Sequence, residues 1–265
     1  MTPYNRVAAL GFIIAGLAAG LAAAAVARGT DKQEGAGTQV PVVVELFTSE
    51  GCSSCPPADQ LLSNLVGTQP IKEALVIGLS EHVDYWDRQG WKDPFSDRLF
   101  TQRQSAYASA ILLSDIYTPQ VIVDGADAVV GNDRAAVVAA IRRAASRRKL
   151  PIALGWSGDG PHVSIRVDKS SETANATVFL AVTEDGLRSS VARGENAGRT
   201  LEHSAVTRRL SQVGKTDKEG TFTSVVPVTL APTWKRGSTK VIVFVQSDAT
   251  RRIAAVAAIG AQAEK

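Results

Sequence analysis

Between residues 42 and 148, short apolar runs alternate with segments of helical spacing. Val42–Phe47 and Leu75–Leu79 are compact apolar blocks, and Val121–Val123 and Ala128–Val130 are shorter ones. Runs of this length between polar or turn residues read as buried strands. Leu61, Leu62 and Leu65 share one face of a helix predicted over Ala58–Val66, and Phe95, Leu99, Gln102 and Tyr107 space a second over Phe95–Ala110. Asp124-Gly125 is a hairpin-turn signal between the last two strands. Asn132 or Asp133 caps a third helix ending near Ala145, with Val137, Val138 and Ile141 inward. The order strand–helix–strand–helix–strand–strand–helix predicts an α/β domain over residues 41–149, in which a helix joins two parallel strands and a hairpin follows.

After Leu150 the pattern changes. Ile152–Trp156, His162–Val167, Thr177–Thr183, Thr221–Thr229, Lys240–Gln246 and Ile253–Ala258 are β-rich runs separated by polar or glycine turns. Strands recurring without helices predict a small all-β, antiparallel sandwich-like domain over residues 150–260. Gly194–Gly198 reads as a loop.

The N-terminus reads as an export signal. Arg6 precedes an apolar run from Val7 to Ala27, and Ala25-Val26-Ala27 has the small-x-small form of a cleavage site. Residues 28–40 then form a linker. The mature chain is expected in the periplasm or outside the cell, where disulfides persist. An uncleaved signal would be its one tie to a membrane.

The net charge of +3 is too small to imply a polyanionic partner. Arg142, Arg143, Arg147, Arg148 and Lys149 cluster near the end of the third helix, where cations suit the dipole. Without interleaved aromatics they offer bases no stacking platform, so no nucleic-acid partner is expected.

The chemistry concentrates at Gly51-Cys52-Ser53-Ser54-Cys55-Pro56, which holds the only two cysteines of the chain. A disulfide within the molecule must join them, and a loop so small staples little. That favours redox or metal chemistry over scaffolding. At a helix N-terminus the unpaired N–H groups and the dipole favour thiolate. Cys52, expected to be the exposed one, is assigned as the nucleophile, and Cys55 as the thiol that resolves the mixed disulfide. Ser53 and Ser54 leave the sulfur accessible. Pro56 and Pro57 bias Cys55 toward a turn and the regular helix toward a start at Pro57. Thr118-Pro119, just before Val121–Val123, is expected to be a cis bond beside the dithiol, with neighbouring backbone free to pair with substrate. Glu45 lies inside the strand that leads to the cysteines. Ionised burial is costly there, which suits Glu45 to pass a proton to or from Cys55. His82 is a candidate acid–base group or a third metal ligand, and Trp86 a wall of a substrate groove.

Val43–Asp59, His82–Asp87, Tyr117–Gln120 and Gly194–Leu201 resemble the exported bacterial proteins called domain of unknown function 1223. That resemblance implies a thioredoxin-like fold and supplies no reaction. Together with the layout it gives the expected architecture: an α/β thioredoxin-like domain followed by a small all-β domain. The leading expectation is an extracytoplasmic thiol–disulfide oxidoreductase. Its partners would be protein thiols or disulfides, or a redox partner protein, and no cofactor is expected. Cys52, Cys55, Pro119 and Glu45 would carry the chemistry. Thr118, Ser53, Ser54, His82 and Trp86 would contact substrate. The competing expectations are a non-catalytic interaction module and a protein binding Cu(I) or zinc through the cysteines and His82.

Overall fold

The computed structural model of the chain describes residues 39–158 and 160–261. The predicted signal over residues 1–27 lies outside them. The first half runs β1 (Val40–Thr48), α1 (Pro56–Thr68), β2 (Ala74–His82), α2 (Arg98–Ala110), β3 (Gln120–Val123), β4 (Asp127–Val130) and α3 (Arg134–Ala145). The second half, apart from two single 3-10 turns, is built of strands: β5 (Ile152–Ser157), β6 (His162–Val167), β7 (Thr177–Glu184), β8 (Leu187–Ser190), β9 (Thr200–His203), β10 (Val206–Lys215), β11 (Phe222–Pro227), β12 (Thr239–Gln246) and β13 (Ile253–Gly260).

Each strand predicted from the apolar runs is present, but the architecture differs from the expected one. One mixed sheet of eight strands, in the order β13-β12-β7-β10-β2-β1-β3-β4, runs through both halves of the chain. The fold is therefore mostly β and is not an α/β thioredoxin-like domain followed by a small all-β domain. β1 and β2 are parallel, and β3 and β4 follow antiparallel. On the other side β10 joins β2 in parallel through Ala205 and Val206, with the Ser80 N–H on the Ala205 carbonyl at 2.7 Å. β7, β12 and β13 continue antiparallel from there. A three-stranded sheet, β11-β6-β5, covers the outer part of the large one.

Side-chain alternation shows why the sheet is continuous. Val42, Val44 and Leu46 of β1 pack beneath α1 and α3. Val43 and Phe47 point to the other face, into a core shared with Phe100 and Tyr107 of α2 and with Phe179, Leu210, Ile242 and Phe244 of the second half. β7 is buried at all eight positions: Val178, Leu180 and Val182 meet the small sheet, and Phe179 and Ala181 meet the α2 side. A strand apolar at successive positions is covered on both faces, which a thin sandwich does not require.

β10 has no counterpart among the predicted strands. Its sequence, Val206-Thr207-Arg208-Arg209-Leu210-Ser211-Gln212, lacks alternation, because the register slips between Thr207 and Arg209 and again between Gln212 and Gly214. A bulge leaves one residue unpaired and reverses which side chains face the core.

A second tie between the halves lies at the turn after β3. Asp124 accepts the Val43 N–H at 3.0 Å and the Lys149 ammonium at 2.6 Å. Lys149 also reaches the Ile253 carbonyl, so this member of the basic cluster is structural. Gly125 has φ +67°, and a Cβ there would lie 1.9 Å from the Arg251 carbonyl oxygen. Gly125→Ala should therefore cost about 3 kcal/mol through backbone strain and displacement of the facing turn. For a unit of this size that lowers the thermal midpoint by roughly 6–12 °C; an unchanged midpoint in calorimetry would contradict the close approach.

Candidate functional site

β1 delivers the chain to Ser49-Glu50-Gly51 and then to the two cysteines, which are joined as a disulfide with Cα atoms 5.4 Å apart. The Cys52 N–H bonds the Ser49 carbonyl, and the Cys55 N–H bonds the Cys52 carbonyl, both at 3.2 Å. Cys55 is the N-cap of α1 with helical angles (φ −77°, ψ −39°), and its carbonyl accepts the N–H groups of Ala58 and Asp59. The proline after Cys55 does not force it into a turn, and the helix starts at Pro56 rather than Pro57. Proline has no N–H to lose at that first position.

Ser53 and Ser54 are exposed, but Cys52 and Cys55 are both fully buried. The exposure expected of Cys52 is thus absent in this closed arrangement. The loop between β8 and β9 lies against the cysteine turn. Asn196, itself buried, donates from Nδ2 to the carbonyls of Glu50 and Cys52, each at 2.9 Å. Glu195 accepts the Ser53 N–H at 2.9 Å, and the Ser53 bonds hold its carboxyl below the usual range. Arg199 fixes the Asn196 amide from behind at 2.7 Å.

Glu50 organises the floor of the site. Its buried carboxylate receives Trp91 Nε1 at 2.7 Å, Ser189 Oγ at 3.1 Å and His203 Nε2 at 3.1 Å. Its N–H donates to Asp93 at 2.8 Å. Asp93 also binds His82 Nδ1 at 2.7 Å, and the two imidazoles stand edge to face with centroids 4.9 Å apart. Burial pulls the His82 imidazole down, but the Asp93 carboxylate outweighs it and the net shift is upward. Asp93 is pushed up by burial and pulled further down by His82 and by the N–H groups of Glu50 and Phe95, so it lies below the usual range.

Trp86 packs its Cβ against Gly51 and donates from Nε1 to Thr118 Oγ1 at 2.7 Å. This brings residues 51–55, 86 and 118–119 together, and the Thr118–Pro119 bond is cis. Two of the sequence candidates go elsewhere. Glu45 accepts from Arg103 and Tyr107, and among the described residues its hydrogen bonds end there, not at the dithiol. Strand alternation explains this: Glu45 shares the Val43 and Phe47 face, which looks toward α2. His82 is fully buried against Asp93 and lines no substrate surface. Among the described residues no three His, Cys, Asp or Glu side chains are arranged to hold one metal ion.

Glu50, Asp93, Asn196 and His203 were not found by reading the sequence. Two local signals point to them: Glu50 adjoins Gly51-Cys52, and Asn196 sits in a glycine-flanked loop. Their pairing spans up to 153 residues and leaves no local pattern.

The sequence profile of a family described as Protein of unknown function (DUF1223) matches residues 43–246, which contain the whole site. No curated protein matches the chain. The crystal structure of protein AGR_C_4864 from Agrobacterium tumefaciens is similar at 28% identity and TM-score 0.66, over 86% of this chain and 97% of that one. HBP35 of Porphyromonas gingivalis is similar in fold at 17% identity and TM-score 0.60, over 84% of this chain and 76% of that one.

The His82–Asp93 pair has a definite pH signature. The lowered Asp93 stabilises the fold above about pH 4, its unfolded range, and that contribution is lost as pH falls through the folded value. The raised His82 stabilises it below about pH 6.5, and that contribution is lost as pH rises through its folded value. Asp93→Asn should therefore cost more at pH 5.5 than at pH 8, about 3 kcal/mol at the lower pH for a buried pair broken on one side. Denaturant unfolding at both values checks this; an equal loss at the two would contradict a titration of the pair between them.

Proposed function

Because the chain belongs to the DUF1223 family, whose description assigns no reaction, its activity has to be read from the site, and we propose that it is an exported thiol–disulfide oxidoreductase acting on protein thiols or disulfides through Cys52 and Cys55. The observation that carries this reading is the disulfide between its only two cysteines, held on a turn that ends at the first residue of α1. Such a loop of two intervening residues contributes little as a cross-link, so stability alone does not account for it.

In the reducing direction the Cys52 thiolate attacks one sulfur of a substrate disulfide and expels the other as a thiolate. Cys55 then attacks Cys52 Sγ, the bond to substrate breaks, and the second substrate sulfur leaves. The substrate disulfide is reduced and the protein dithiol oxidised. Ser53 and Ser54 present the exposed edge of the turn, and Thr118 and Trp86 form its neighbouring wall. Access to Cys52 requires Asn196 and Glu195 to release the turn, which makes the β8–β9 loop the moving part.

A second reading has one observation in its favour. Both sulfurs are buried, as an inert disulfide in a non-catalytic interaction module would be. The two readings separate with single variants. Reduced Cys55→Ser should form a stable mixed disulfide with a disulfide-bonded peptide at pH 7, read as a mass increase, at least 100-fold faster than Cys52→Ser on the expected range for an activated thiolate. Two equally inert variants would leave the second reading standing.

A further inference from the structure

The resolving step needs a group that takes the Cys55 proton, and Glu45 is committed to Arg103 and Tyr107. We propose that Asp59 takes that proton. This inference rests on the oxidoreductase reading and names the residue that completes it.

The placement follows from the helix. Cys55 has helical backbone angles, and the Asp59 N–H bonds its carbonyl at 3.1 Å. The two residues are therefore i and i+4 neighbours on one face of α1, with Cβ atoms about 5–6 Å apart. That separation lets a carboxylate reach the sulfur directly or through one water. Both residues are buried, Asp59 at 6% exposure. Asp59 Oδ1 has no hydrogen-bond partner among the described residues, nor do His82 Nε2, His203 Nδ1 and Thr48 Oγ1. A buried carboxylate oxygen left open is costly unless another group meets it, and Asp59 shares that condition with Glu81 and Asp127; what sets Asp59 apart is its place one turn from Cys55.

The surroundings suit proton transfer. His203 of β9, His82 of β2 and Asp93 of the loop before α2 act on Asp59 electrostatically, and the nearby Thr48 hydroxyl favours its ionised form. Each histidine in turn meets a carboxyl, His203 that of Glu50 and His82 that of Asp93. Burial pushes the Asp59 carboxyl above its ordinary range, against the opposing pull of the two imidazoles. Asp59 also lines a surface groove of about 390 Å³ with Pro56, Gln60, Arg199 and Glu202, which gives the proton a route to water.

In the step itself the carboxylate accepts the Cys55 Sγ proton as that sulfur attacks Cys52 Sγ. The Cys52–Cys55 bond forms, the Cys52–substrate bond breaks, and the substrate sulfur leaves with the electron pair. The proton then passes from Asp59 to the groove.

Two measurements on the full reduced chain test this. Glutathione disulfide first adds glutathione to Cys52, and Cys55 then closes the ring; rapid quenching and mass spectrometry separate the steps. Asp59→Asn should leave the first step unchanged and slow closure about 100-fold at pH 7, with closure rising steeply with pH. Closure at the wild-type rate and pH profile would overturn the proposal. The second measurement needs no turnover. In the Cys52→Ser background the Cys55 thiolate, followed by ultraviolet absorbance, should form about one pH unit lower in Asp59→Asn, because a neighbouring anion is gone. No displacement there would equally overturn the role of Asp59. Both readouts use a small disulfide or none, so failure to engage protein substrates leaves them intact and counts against the oxidoreductase reading alone.

Discussion

Burying the Glu50 carboxylate is the constraint on which the rest of the site depends. An ion removed from water must be surrounded by donors, and leaving it with partners missing costs about 3–5 kcal/mol. Here the donors come from Trp91, Ser189 and His203, while Asp93 and Asn196 bind the Glu50 backbone. Four segments, the loop 91–93, β8, the β8–β9 loop and β9, thus converge on the residue two positions before Cys52. The cysteine turn has its shape only when the second half of the chain is in place. That requirement explains why the sheet is continuous: β10 joins β2 and positions β8, β9 and their loop above the disulfide.

The same arrangement makes the disulfide guarded yet open to release. Asn196 and Glu195 hold it with three hydrogen bonds, two to backbone carbonyls and one from a backbone N–H. Each of these bonds contributes only ~0.5–1.5 kcal/mol net. The floor beneath it, with its buried ion pairs and imidazoles, is far more costly to disturb. Rigid support below and a light cover above suit a dithiol that reacts only when a partner displaces the cover.

How much of this was legible in the sequence follows from the range of each signal. Apolar runs and the cysteine motif are local, and the strands predicted from those runs, α1 and the disulfide are present, whereas β8, β9 and β10 have no such run. The architecture was not legible, because the joining strand β10 carries two bulges that erase its alternation. The continuous runs Val178–Val182 and Val241–Val245 did signal burial on both faces, but a sandwich reading absorbed them. Glu45 was misplaced for a related reason. Proximity along the strand suggested the dithiol, whereas alternation sends its side chain to Arg103. His82 and Asp93 lie eleven residues apart with no periodic relation, and Asn196 and His203 lie far along the chain from their partners. Only packing brings such pairs together, and a single sequence does not record it.

What decides the chemistry is whether this guarded disulfide is poised for exchange. The most direct measurement is the reduction potential of the Cys52–Cys55 pair in the full chain, by equilibration with glutathione. A value between about −120 and −270 mV, the range of dithiol oxidoreductases, is what the account predicts. A value below about −300 mV would mark a bond that resists the glutathione pool and would contradict it.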